Sequence, residues 1–177
     1  MTRRARRPAR AGFTFIELII SVVLVTIISG LLAATLRQGF AVYQAATDRK
    51  TALQEARAAL LRAEREVRQI RDRGALLSAG PRVVSLKTVA DSTVGLNWSG
   101  TRNTPLYYTR NGRSYVFCAG VDSFALDWAK GDGTAAAPLT APDSTDVRYL
   151  SVYLRLARGS QKVALREGIL LRNLRGS

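Results

Sequence analysis

The chain has 177 residues, none of them histidine, and a single cysteine. Without an imidazole it has no His-based catalytic triad, no histidine metal ligand and no unperturbed side chain that titrates near neutrality. One thiol closes no internal disulfide, so any extracytoplasmic part must hold together by packing. Acids are scarce too. Against 27 Lys and Arg there are 13 Asp and Glu, for a formal net charge of +14. Hydrophobic residues make up 47% of the chain, too many for a disordered basic tail protein. No proline falls between Ala9 and Gly80, so nothing in that stretch forbids a long helix. The length suits one domain with an appendage.

So basic a chain suggests an anionic partner, which makes the placement of the cations informative. The opening MTRRARRPAR carries Arg3, Arg4, Arg6, Arg7 and Arg10 and no acid. These five charges precede an apolar run, AGFTFIELIISVVLVTIISGLLAATL, whose only charge is Glu17. Residues 18–36 are 19 uncharged positions, about 30 Å of helix at about 1.5 Å per residue, enough to cross a bilayer core. Arginines ahead of such a span place that end in the cytoplasm. The cations of the tail therefore read as a topology signal, and nucleic acid is not the partner expected for them.

Three readings meet at residues 1–36. An ordinary secretory signal peptide would need a small-x-small site, which Gly39-Phe40-Ala41 could supply. An ordinary signal anchor fits the long apolar run better. Neither accounts for Glu17. A carboxylate at the bilayer centre costs about 2.5–3.5 kcal/mol on insertion scales, and an acid at the start of a span is a functional candidate.

Gly12-Phe13-Thr14-Phe15-Ile16-Glu17-Leu18 resembles the class III signal of type IV pilins and pseudopilins. That signal has a basic leader, a glycine, an aromatic residue, Thr or Ser, two apolar residues and a glutamate that opens an apolar helix. The resemblance implies that prepilin peptidase cuts between Gly12 and Phe13 on the cytoplasmic side and N-methylates Phe13. Glu17 becomes the fifth residue of a 165-residue mature chain, whose side-chain charge falls to +9 with the five leader arginines gone. Glu17 then pairs with the N-terminal amine of a neighbouring subunit. One ion pair replaces two costly isolated charges and fixes the axial register.

Helix formers dominate from Phe13 to about Asp72. Leu53, Ala56, Leu60, Ala63, Val67 and Ile70 recur every three or four residues as an apolar stripe. Glu55, Arg57, Arg62, Arg65, Glu66 and Arg68 lie opposite. Arg62–Glu66 and Glu64–Arg68 are spaced for ion pairs. Gly74 and Gly80-Pro81 are the expected stops, and Gly30 and Gly39 are candidate bends or close-packing points.

Beyond Pro81 the period changes to two. Val94, Leu96 and Trp98 alternate. Leu106–Phe117 reads as a hairpin turning at Asn111-Gly112, and Val121–Trp128 as another strand. Lys130–Asp146 reads as a loop. Leu150, Val152, Leu154 and Leu156 share one face of a strand, with Tyr149, Ser151, Tyr153 and Arg155 on the other. Gly159-Ser160 turns into a last strand from Lys162 to about Arg172, where Val163, Leu165, Ile169 and Leu171 share a face. The expected fold is α+β: an antiparallel sheet packed on the second half of a long N-terminal helix. The expected segments are a leader at 1–12, a membrane or filament-core helix at 13–36, its amphipathic continuation at 37–73 and a periplasmic sheet domain at 74–177.

Phe124–Trp128, Val147–Leu154 and Leu170–Leu174 are also similar to J-type minor pseudopilins and related minor pilins. The expected role is that of a minor subunit of a type II secretion pseudopilus or a type IV pilus-like filament. It would sit in the inner membrane and partner with prepilin peptidase, other pilin subunits, an assembly platform and the bilayer. The alternative is a tip pilin that binds DNA or a surface, through arginines such as Arg102, Arg110, Arg113, Arg148, Arg155, Arg158, Arg166, Arg172 and Arg175 with Tyr107, Tyr108, Tyr149 and Tyr153. Cys118 cannot make the disulfide common in major type IVa pilins and reads as a small buried hydrophobe. No cofactor is expected. Asp122, Asp127, Asp132, Asp143 and Asp146 could supply oxygens to calcium, as in major pseudopilins, though loop aspartates are usually turn formers. No nucleophile–base constellation stands out, and Glu55, Glu64 and Glu66 have arginine neighbours, so no enzymatic activity is expected.

Overall fold

The computed structural model describes residues 12–136, 139–140 and 147–171. One helix, α1 (Phe15–Arg68), opens the chain and runs unbroken through Gly30 and Gly39. The chain divides into two compact units, at residues 1–44 and 45–177. The first is the N-terminal part of α1, with its apolar side chains uncovered: Val25 is 62% exposed and Leu31 67%.

The second unit joins the rest of α1 to a sheet. The strands are β1 (Leu76–Ala79), β2 (Val83–Lys87), β3 (Thr93–Asn97), β4 (Thr104–Arg110), β5 (Arg113–Lys130), β6 (Leu139–Thr140), β7 (Val147–Arg158) and β8 (Gln161–Leu170). They form one antiparallel sheet in the order β6-β1-β2-β3-β4-β5-β7-β8. The α+β architecture expected from the change of period is therefore observed.

Its core is continuous between helix and sheet. Ala52, Ala56, Ala59, Leu60, Ala63 and Val67 of α1 are buried with Leu106, Val121, Leu126, Leu150, Leu154 and Ile169 of the strands. Four alanines on the helix let its backbone approach the larger side chains of the sheet. The predicted stripe holds, with Leu53 only partly buried at its edge. In β7 the alternation is as expected, Leu150, Val152, Leu154 and Leu156 facing inward.

Four local readings need correction. The helix stops at Arg68, short of Asp72. There the backbone turns to the sheet: Ile70 bridges Thr88, Val89 N–H donates to Gln69 C=O, and Arg71 N–H donates to Lys87 C=O. Tertiary hydrogen bonds end the helix before any glycine is reached. Next, the hairpin strand and the strand at Val121–Trp128 are one 18-residue strand, β5. Its first half pairs with β4 and its second with β7, and Val121 is opposite both Thr104 and Leu156. Gly120 stands at this hand-over with φ +65°, and a Cβ there would lie 2.7 Å from Ala157 C=O. Glycine is needed at this point because the strand changes partners there. The last strand ends at Leu170. Finally, the loop at Lys130–Asp146 contains β6, which pairs with β1.

Candidate functional site

The segment that carries Glu17 begins with Gly12, Phe13 and Thr14, which precede α1. Thr14 caps the helix. Glu17 N–H donates to Thr14 Oγ1 at 3.4 Å, and Leu18 N–H donates to the Thr14 carbonyl at 3.2 Å. Thr-x-x-Glu is the capping-box spacing, which satisfies amides left open by the first helical turn. Glu17 thus lies in the first turn, where the helix dipole favours a negative charge. The sequence contains this signal within the longer motif at Gly12–Leu18.

The apolar side chains around Glu17 are exposed. Phe13 is 73% exposed, Phe15 79% and Ile16 68%. No cation of this chain pairs with Glu17 among the described residues. A Cβ built on Gly12 meets no atom within 4 Å, so the backbone at Gly12–Phe13 stands open. The site is a carboxylate held at a helix start, among apolar side chains that no described residue covers.

The polar groups farther along are satisfied internally. Ser21 Oγ donates to Glu17 C=O at 2.7 Å, Thr26 Oγ1 to Val22 C=O at 2.8 Å and Thr35 Oγ1 to Leu31 C=O at 2.6 Å. Bonding back to the preceding turn removes the cost of placing a hydroxyl in hydrocarbon. α1 is the one helix among the described residues long and apolar enough to cross a bilayer.

The other residues named from sequence belong to the second unit. Asp122 is buried in an ion pair with Arg155 at 2.6 Å, with Lys162 at 3.5 Å. Burial pushes its carboxyl up, but the two cations outweigh this and hold it below the usual carboxylate range. Asp127 pairs with Arg166 at 2.6 Å. Asp132 accepts from Thr134 N–H and Oγ1, bonds that lower its pKa. Each of these acids is thus committed to a different partner; Asp143 and Asp146 lie outside the described residues. Cys118 is buried, and desolvation first, then the Glu55 carboxylate, pushes its thiol up to about 12.

Of the arginines and tyrosines, Tyr149, Tyr153 and Arg155 share the outer face of β7, with Arg166 opposite Tyr153 on β8. Arg155, Arg158 and Arg166 are occupied by acids of the chain itself. Tyr108 is buried, while Tyr107 and Tyr149 are exposed. Arg172 and Arg175 lie outside the described residues. Glu64–Arg68 forms as the helix spacing predicted. Arg62 instead lays its guanidinium over the rings of Tyr108, at 4.8 Å, and Phe117, at 5.5 Å. Burial first, then the Glu66 carboxylate, raises the Tyr108 phenol above its ordinary range. This stack joins residues distant in sequence, and the helical periodicity gave no sign of it.

Residues 7–33 match the family model of the prokaryotic N-terminal methylation motif. The match covers Gly12, Phe13, Thr14 and Glu17 and stops within α1. The chain therefore carries a prepilin-type signal, of the kind that begins type IV pilin-like subunits. No curated protein matches the chain.

Proposed function

We propose that this protein is a minor pilin or pseudopilin, cut between Gly12 and Phe13 by prepilin peptidase, N-methylated on Phe13 and assembled into a type II secretion pseudopilus or type IV pilus-like filament. The observation that carries the reading is the capped glutamate at the start of a helix whose apolar side chains are uncovered over its first unit. Such a surface needs lipid before assembly and other subunits after it. The basic leader sets the N-terminus in the cytoplasm, and the sheet unit lies beyond the span. The five leader arginines serve topology and leave with the leader.

Glu17 supplies the assembly contact. Cleavage creates an amine on Phe13, and the amine of one subunit neutralises Glu17 of the next. Satisfied pairing at the correct axial step and an unpaired charge at any other make the pair a register device. The role is structural, and the only chemistry it requires is performed on the chain by the peptidase. The finer assignment, to a J-type minor subunit, rests on the short echoes at Phe124–Trp128, Val147–Leu154 and Leu170–Leu174.

The test is Gly12→Leu in the native host. The open surroundings of Gly12 admit the side chain, so folding is unaffected. The expected result is a chain that keeps its leader, migrates more slowly than wild type and is missing from filaments. Wild-type mobility and N-terminus in the variant would refute the reading.

A further inference from the structure

The charges of α1 in the second unit are segregated. Lys50, Gln54, Arg57, Leu61, Arg65 and Arg68 follow one another at steps of three and four residues, so they form one ridge. All are exposed to solvent, on the face turned away from the sheet. The acids of this part of the helix lie on its flanks and are engaged. Asp48 and Glu55 hold Arg158, Glu64 holds Arg68, and Glu66 faces Tyr108. Lys50, Arg57 and Arg65 have no acidic partner among the described residues.

An apolar anchor interrupts the ridge. Leu61 is 65% exposed and lies between two shallow depressions. One, of about 250 Å³, runs toward β8 past Arg57, Leu165 and Glu167. The other, of about 360 Å³, is lined by Arg65, Gln69 and the Glu64–Arg68 pair.

Resting on the reading of this chain as one subunit of an assembly, we infer that this ridge docks the acidic face of a different protein subunit, with Leu61 as its apolar centre. Uncompensated arginines around an exposed leucine suit a protein surface that brings carboxylates and an apolar contact together. A phosphate backbone or a lipid headgroup would answer the charge but leave Leu61 in water. A second copy of this chain is itself strongly basic, with a net charge of +14, and its described acids are dispersed and mostly engaged. Asp91 and Asp72 serve Arg71, Asp122 serves Arg155 and Lys162, and Asp127 serves Arg166. Of the remaining described acids, Glu17 belongs to the apolar span, Asp132 accepts from Thr134 in a turn, and Glu167 lines the depression itself. Two copies meeting at this ridge would set Arg57 and Arg65 against like charges.

The test uses the full-length chain in its native host, with a photo-crosslinking p-benzoylphenylalanine replacing Leu61. The expected adduct joins it to a segment of another protein in which Asp and Glu outnumber Lys and Arg. The double variant Arg57→Glu/Arg65→Glu should lower the adduct yield about tenfold, and reversing two acids of the captured segment to lysine should restore it. Arg57→Gln/Arg65→Gln, gentler to the helix, should give an intermediate yield. An adduct with a copy of this chain, with lipid or with a basic segment would overturn the inference, as would a yield indifferent to the charge reversals or no adduct at all. The N-terminal mass of the same samples separates the two levels. A processed chain with no such adduct defeats the docking surface alone, whereas an unprocessed chain defeats the functional reading beneath it.

Discussion

The two parts of α1 use similar apolar side chains in opposite ways. Before Gln44 they are uncovered, as with Leu24 at 52% and Ile28 at 62% exposed, whereas beyond Ala45 Ala56, Ala63 and Val67 are almost wholly buried against the sheet. The second part completes its hydrophobic surface within the chain. The first part cannot, and its satisfied hydroxyls and capped start prepare it for surroundings without water. An exposed apolar surface that size is a demand for a partner, so function is written most plainly where the chain leaves itself incomplete.

The sharpest way to test this contrast is to remove equal side chains from the two regions. Leu154→Ala empties a site that is 1% exposed and should destabilise the sheet unit by about 2–5 kcal/mol. Leu24→Ala should change that stability by less than about 0.5 kcal/mol. Denaturant unfolding of the detergent-solubilised chain, followed by tryptophan fluorescence, measures both. Similar losses for the two variants would break the distinction between the regions.

A second effect concerns the buried charge of the sheet unit. The Asp122 carboxyl titrates below its unfolded value of about 3.9. Its contribution to stability is therefore complete above that pH and is lost as pH falls through the depressed folded value. Tm measured from pH 5 down to pH 2 should fall with a share due to Asp122. Asp122→Asn should lower Tm at pH 5 and flatten the acid side of the curve. A variant with wild-type pH dependence would show that the pairs with Arg155 and Lys162 are energetically silent.

The smallest effect falls at the start of the helix. Thr14→Ala removes the cap and should cost the first turn about 1 kcal/mol, or roughly fivefold faster amide exchange at Glu17. Exchange in β7 should not change. Unaltered exchange at Glu17 would mean that the cap contributes nothing there.

The legibility of the sequence follows the same division. Glu17 stands out in the sequence because a charge in an apolar run has few structural explanations. The helix and β7 were readable because one face of each is buried and leaves a period. β1 and β2 were not, since Gly80 and Pro81 lie between them and Ser78 and Ser85 blur the alternation. The continuity of β5 was hidden because Gly120 looks like a break in one dimension and is a change of strand partner in three. The end of α1 was misplaced because no local residue stops it; hydrogen bonds from Arg71 and Val89 to residues far away in sequence do. The Arg62 stack on Tyr108 and Phe117 and the basic ridge around Leu61 likewise depend on which helix face the sheet covers.

The most direct measurement is the intact mass of the wild-type chain recovered from membranes of its native host. The expected chain begins at Phe13, lacks residues 1–12 and is one methyl group heavier than its sequence. A chain that keeps Met1–Gly12, or one cut after Ala41 by an ordinary signal peptidase, would contradict it.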